Sequence, residues 1–593
     1  MKQFLITAAG VFAGLVLFLI GVPFLLIVAA TSAAKPEPTP AQAVLELDLR
    51  DPLTDQDPVN PFASFGRRSM SVMSVIETLD RAGKDGKVKG VLVRLPEGGM
   101  APAAADEIRL AVKKFRATGK PVFAHSQGLY PSGVVTSTYM LGAAADELWM
   151  QPGASFQVTG LSSDDIFFKR AFDKYGVKAD YEQRYEYKNA VNPYLYSDYT
   201  PAHRESQLSW MGSIYGTALA NAATDRKQQP EALRTNIEAG PYLAEDALKL
   251  KLIDKVGQVK EIETAALAKA GKGAELVDFE KYMRSSRDRG HGTGPVIAVI
   301  EGEGAIVTGH DGAANPFSGG GSMYSDDVSE ALYDAVEDND VKAIVFRVSS
   351  PGGSDTASEQ ILAAVRAAKA AKKPVVVSMG TYAASGGYWI SSEASAIVAQ
   401  PSTLTGSIGV FGGKFALGPA LEKFGIDVRQ TSVGGEYAGT FGMGNEMNQA
   451  QRAAFATWMD RIYANFVARV AEGRKLPVER VREIAKGRVW TGVQARELGL
   501  VDEVGGFYQA VDKAKALAGL KGDVRLKRMT TTVSPFEALE NALGVSAVSA
   551  RTLAAAAWVM GDPRAQGILD EMAQERLRGS VGGAAVLAPT PVR

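Results

Sequence analysis

The chain repeats itself. VKGVLVRLPEGG at 88–99 reappears as VKAIVFRVSSPGG at 341–353, and NPF at 60–62 as NPF at 315–317. KPVFAHSQG at 120–128 returns as KPVVVSMG at 373–380, QPGASFQVTGL at 151–161 as QPSTLTGSIGV at 400–410, and GPYLAEDALKLKLIDKVG at 240–257 as GRVWTGVQARELGLVDEVG at 487–505. Matches that keep one order at an offset of about 250 residues mark a duplicated domain. Whatever one half folds into, the other must fold into as well.

Within each half the pattern alternates. VKAIVFRV is a continuous β-rich apolar run, as expected of a strand buried on both faces. A turn (PGG), a helical stretch (ILAAVRAAKAAKK) and a second apolar strand (PVVVSM) follow it, which is a βαβ unit. The expected fold class is α/β, in tandem. The first repeat runs over 43–271, a polar connector over 272–295 and the second repeat over 296–522. The C-terminal extension, 523–593, ends in GGAAVLAPTPVR, whose composition reads as partly disordered.

Ahead of the repeats, no charge occurs between Gln3 and Ala34. An apolar run of that length exceeds the core of a signal peptide, so residues 4–30 read as a transmembrane anchor within an N-terminal segment 1–34. Lys2 on the short side predicts a cytoplasmic N-terminus, with the rest of the chain outside the inner membrane. A net charge of −1 leaves no electrostatic footprint for nucleic acid, and the absence of cysteine excludes disulfides, thiolate metal sites and cysteine nucleophiles. No metal or cofactor is expected.

Two features of the second repeat can carry chemistry. The PGG turn at 351–353 leaves backbone N–H groups open to an oxyanion. Ser385, in YAASGGYW, lies between a strand and a helix, where a hydroxyl can be exposed as a nucleophile and Gly386 N–H can be a second oxyanion donor. A serine in that setting is also a common helix cap. The histidines, His125, His203, His291 and His310, have no carboxylate partner fixed by sequence. A neutral lysine is the other base for serine. Aligning YEQRYEYKNAVNPY at 181–194 with TSVGGEYAGTFGM at 431–443 sets Lys188 against Ala438. The first half thus keeps a lysine that the second lacks, while the second keeps AASGG where the first reads YPSGV around Ser132. Ser132 reads as structural.

The motifs YKNAVNPY, RVSSPGGS, AASGGYW and PSTLTGSIG together resemble the long, duplicated form of the bacterial signal peptide peptidase A (protease IV) family, over residues 1–522. The resemblance implies a Clp-protease and crotonase-like fold, a serine endopeptidase with Ser385 as nucleophile and Lys188 as general base, and Ser407 orienting the lysine. Val158 stands at the Ser407 position of the first repeat. It further implies signal peptides and other apolar peptides as substrates and a homotetramer; the Gly-rich composition of loops such as NPFSGGGSMYS suits them to gate the groove. A non-catalytic membrane scaffold and a crotonase-type acyl-CoA enzyme are the alternative functions.

Overall fold

A computed structural model describes residues 39–57, 70–286, 294–310, 321–529 and 585–587. The segment 4–30 and residues 315–320 of the expected gating loop lie outside them. Among the described residues no helix is long and apolar enough to cross a membrane.

Each half builds the same sheet. In the first, the strands lie in the order Lys255–Val256, Glu147–Met150, Val122–Ser126, Val88–Arg94, Ala43–Asp48, Glu275–Asp278, all parallel. In the second, the order is Glu503–Val504, Ala396–Ala399, Val375–Ala384, Val341–Ser350, Val296–Glu303, Arg525–Arg528, again all parallel. The edge strands Glu275–Asp278 and Arg525–Arg528 correct the boundaries drawn at 271 and 522. Each half closes its sheet with residues assigned to the connector or the extension, because ELVD and RLKR are too short and polar to read as strands.

The halves share their cores. Along the second sheet, Ile297, Val299, Val345, Val376 and Val398 face the core of the first half. Their neighbours Ala298, Ile300, Phe346, Val377 and Ile397 face a core of the second half's own. This is the period-two alternation of a strand, with apolar residues on both faces because both faces are covered. A polar seam runs through the join. The Arg347 guanidinium, fully buried, donates to both carboxylate oxygens of Asp55 at 2.7 and 2.9 Å, to Glu107 at 3.0 Å and to Ser378 at 3.0 Å. Burial opposes its charge, but Asp55 and Glu107 outweigh that and push its pKa up.

One difference between the halves positions the site. The strand Val122–Ser126 is 5 residues long, whereas its counterpart Val375–Ala384 is 10. The extra residues Tyr382, Ala383 and Ala384 pair with Leu404–Gly406, which in turn pairs antiparallel with Val489–Thr491. A second join brings the first half across. Its strand Lys178–Gln183 pairs antiparallel with Phe411–Ala416 of the second half, from Phe411 opposite Gln183 to Ala416 opposite Lys178. Phe415 sits among Phe172, Tyr181 and Tyr194, with ring centroids 5.5, 5.2 and 5.3 Å away.

Arg347→Ala leaves Asp55 and Glu107 buried without their cation. Loss of one partner of a buried pair costs about 3–5 kcal/mol, so the unfolding midpoint in denaturant is expected to fall accordingly. A midpoint within error of the parent would show that the seam contributes nothing to stability.

Candidate active site

The long strand Val375–Ala384 ends at Ser385, and the helix Gly386–Ser391 starts directly after it. Ser385 itself has φ 57° and ψ −118°, a backbone that a side-chain-bearing residue adopts only at a cost of order 1–3 kcal/mol. Its N–H donates to Gly406 O at 2.9 Å, which ties the elbow to the neighbouring strand. The two following glycines are forced by the same turn. A Cβ on Gly386 would lie 2.9 Å from Gly353 N, and one on Gly387 would lie 2.7 Å from Ser350 O. AASGG is therefore the sequence of an elbow pressed against the PGG turn. Gly353 and Gly386, expected as oxyanion donors, meet at this contact.

Lys188 arrives from the other half. It follows the strand Lys178–Gln183 and precedes the short 3-10 turn Asn189–Val191. Its side chain is fully buried. Lys188 Nζ lies 2.7 Å from Ser385 Oγ, 3.0 Å from Ser407 Oγ and 3.0 Å from Ser407 O. Burial, with no charged partner among the described residues to offset it, holds the ammonium pKa well below the usual lysine range. The three contacts suit a neutral amine. As a neutral amine Lys188 would donate its two N–H groups to the carbonyl and hydroxyl of Ser407 and accept the Ser385 O–H on its lone pair. Ser407, at φ 50°, is a second residue in the left-handed region, and this conformation points both its carbonyl and its hydroxyl at Lys188.

The five residues singled out from the sequence, Ser385, Lys188, Ser407, Gly353 and Gly386, thus converge on one buried spot. The other candidates do not. Ser132 is exposed, and its carbonyl accepts the Gly99 N–H at 2.6 Å, so the first half's own turn is closed by its own loop. Ala438 is exposed and Val158 is buried in the first core. His125 Nε2 faces Gly257 O at 3.1 Å, and His310 lies beside Asp326 and Asp327. His203 is buried against Phe167 and Tyr199. His291 lies outside the described residues. Ser385 Oγ has Lys188 as its partner and no histidine among the described residues.

Beside the elbow runs a backbone slot. Residues Ala585–Leu587 lie in it as a strand, antiparallel to Gly352–Ser354 with Gly353 opposite Val586, and Ala585 also pairs with Phe411. An extended chain is held there by main-chain hydrogen bonding on both sides, directly next to the Gly353–Gly386 amides. Sequence reasoning did not reach this slot, nor the strand pairing that delivers Lys188. The only hint was the aromatic density of AFDKYG, YEQRYEYKNAVNPY and GKFALG.

A buried lysine is a stability cost that pH reveals. The unfolded chain holds the Lys188 proton up to about 10.4, whereas the folded chain releases it at much lower pH. Between those values unfolding takes up a proton, so stability rises with pH. Lys188→Met removes that term. Its thermal midpoint at neutral pH is expected to equal or exceed that of the parent, and to vary less with pH over the neutral-to-alkaline range. A midpoint well below the parent at all pH values would contradict a neutral buried amine.

The family model for "Peptidase family S49" matches residues 114–274 and 367–521, one stretch in each half. The chain is 34% identical to "Protease 4" of Salmonella typhi over 505 residues, which is 81% of this chain and 79% of that protein. It is 34% identical to "Protease 4" of Haemophilus influenzae over 478 residues, 78% of this chain and 75% of that protein. With "Serine protease SPPA, chloroplastic" of Arabidopsis thaliana the identity is 28% over 505 residues, covering 83% and 71%. A duplicated fold, an elbow serine in one half and a family match in both have one reading: the chain belongs to peptidase family S49 and is a serine protease of that family in its duplicated form.

Proposed function

We propose that the protein is a membrane-anchored endopeptidase that uses a Ser385–Lys188 dyad to degrade signal peptides and other apolar peptides left at the membrane. The observation that carries this reading is the 2.7 Å contact between Ser385 Oγ and the amine of a lysine buried with no charged partner among the described residues. Neutral Lys188 takes the hydroxyl proton as Ser385 Oγ bonds to the scissile carbonyl carbon. The oxygen that gains the electron pair sits at the Gly353 and Gly386 amides. When the tetrahedral intermediate collapses, the C–N bond breaks and the Lys188 ammonium gives its proton to the leaving amine. Water then bonds to the acyl carbon as Lys188 takes its proton, and the C–Oγ bond breaks as the Lys188 ammonium returns that proton to Ser385 Oγ, releasing the acid and restoring the neutral amine. Ser407 holds the amine in place at each step.

Substrate binding follows from the slot. A peptide that lies where 585–587 lies adds an antiparallel strand to Gly352–Ser354, and its affinity comes from main-chain hydrogen bonds rather than from a particular side chain. Such a mode suits unfolded apolar segments. The apolar stretch 4–30 supports an anchor that holds the domain at the inner membrane on its outer side.

In the full-length enzyme in detergent, Ser385→Ala and Lys188→Ala are each expected to lower cleavage of an apolar peptide ester by at least 10³-fold, with the thermal midpoint retained. Activity near the parent level in either variant removes the dyad. Parent-level activity in both favours another active-site pair, and no activity in the parent itself favours the scaffold reading.

The homotetramer is part of the same proposal. By the repeat alignment, the counterparts of Lys178–Gln183 and Phe411–Ala416 are residues 428–433 and 162–167. Both segments are outside any strand, and they carry Val433 and Ile166 at 94% and 70% exposure. One chain's 428–433 is suited to pair with the next chain's 162–167 as the halves pair internally, a head-to-tail contact that closes into a ring. Light scattering on the detergent-solubilised protein is expected to give four chains, and Val433→Asp with Ile166→Asp to give one. A monomeric parent would contradict this.

A further inference from the structure

We propose that Lys486, Gly487 and Arg488 form a positioning bracket for Lys188, with Gly487 and Arg488 setting where the amine stands; this rests on the reading of Lys188 as the base. The segment comes from the second half, in the turn before the strand Val489–Thr491, and is bonded to both sides of the dyad. Lys486 O accepts the N–H of Tyr187, the residue before the lysine, at 3.2 Å. Arg488 O accepts the N–H of Ser407 at 2.7 Å, and Gly487 N–H donates to Ile408 O at 2.8 Å. Three consecutive backbone groups therefore fix the lysine's chain and its orienting serine to one another.

The contact leaves no room for another residue at the centre. Gly487 has φ 80°, and a Cβ there would lie 2.5 Å from Lys188 Cβ and 2.7 Å from Lys188 Cα and N. The clash is with backbone, which cannot rotate away. Lys486, just before it, is also in the left-handed region at φ 54°. Arg488 spans the join. Its guanidinium lies 4.9 Å from the Tyr187 ring centroid and 4.2 Å from that of Trp490, and it donates to Glu205 of the first half at 2.7 Å. Cation, two rings and carboxylate thus bridge the two halves beside Tyr187, the residue before the lysine. Lys486 Nζ adds a contact to Glu186 at 3.3 Å.

The duplication supplies an independent control. The aligned residues in the first half are Ala239, Gly240 and Pro241, so the arginine is replaced by a proline that can neither stack as a cation nor bond a carboxylate. That half has Ala438 in the place of the lysine, and nothing there needs to be held.

The test compares kcat, KM and the acidic limb of the kcat/KM pH profile in the full-length enzyme for Arg488→Met, Arg488→Lys and Gly487→Ala. Arg488→Met is expected to lower kcat about 10-fold with KM within about 2-fold, and to move the acidic limb upward in pH, because water reaching Lys188 restores its basicity. Arg488→Lys is expected to recover part of both effects. Gly487→Ala, which moves the lysine itself, is expected to lose about 100-fold in kcat. If Arg488→Met and Gly487→Ala leave both kcat and the acidic limb at parent values, the bracket is wrong. A loss of kcat with an unmoved limb is equally against it, since that would be a structural effect alone. Lys188→Ala measured alongside separates the two readings: inactivity there with parent-like bracket variants removes the bracket and leaves the dyad.

Discussion

A lysine buried with no charged partner among the described residues is the constraint on which the rest of the structure depends. Burial lowers the tendency of an amine so placed to carry a proton, which is what the proposed role as a base requires. That lowering needs a dry, closed site, and the site is built at a join between two halves. The Lys178–Gln183 and Phe411–Ala416 pairing brings the lysine across, and Arg347 with Asp55 and Glu107 locks the halves behind it. Any opening of the join would let in water and return the amine to its ordinary basicity. Stability at the seam and chemistry at the elbow are thus two results of one packing.

The two halves show how a duplicated domain divides its labour. Both retain the six-strand parallel order, so the scaffold is unchanged. What differs is local. The strand before the elbow is longer in the second half, the glycine pair is complete there, and its turn pairs with Ala585–Leu587 where Ser132 closes that of the first. The strained residues Ser385 and Ser407 belong to the second half, and they aim a hydroxyl and a carbonyl at a side chain it does not itself contain.

Much of this was legible in the sequence, for physical reasons. Strands buried on both faces leave continuous apolar runs, and a repeat exposes them twice. A lysine retained in one copy and lost in the other is visible once the copies are aligned. The remainder was not legible because it has no period. Asp55 and Arg347 are far apart in the chain and carry no local pattern that announces their contact. The edge strands ELVD and RLKR have too few apolar residues to signal a strand, so the repeats were drawn short. Gly487 and Arg488 were visible as part of a repeated motif, but their use, to stand against Lys188, depends on which half they touch.

The most direct measurement is the pH dependence of Ser385 labelling by a fluorophosphonate, followed by intact mass in the parent and in Lys188→Met. The parent rate is expected to rise through a single ionisation well below the ordinary lysine value of about 10.4, and Lys188→Met is expected not to be labelled above background. Labelling of Lys188→Met at the parent rate with the same pH dependence would contradict the dyad.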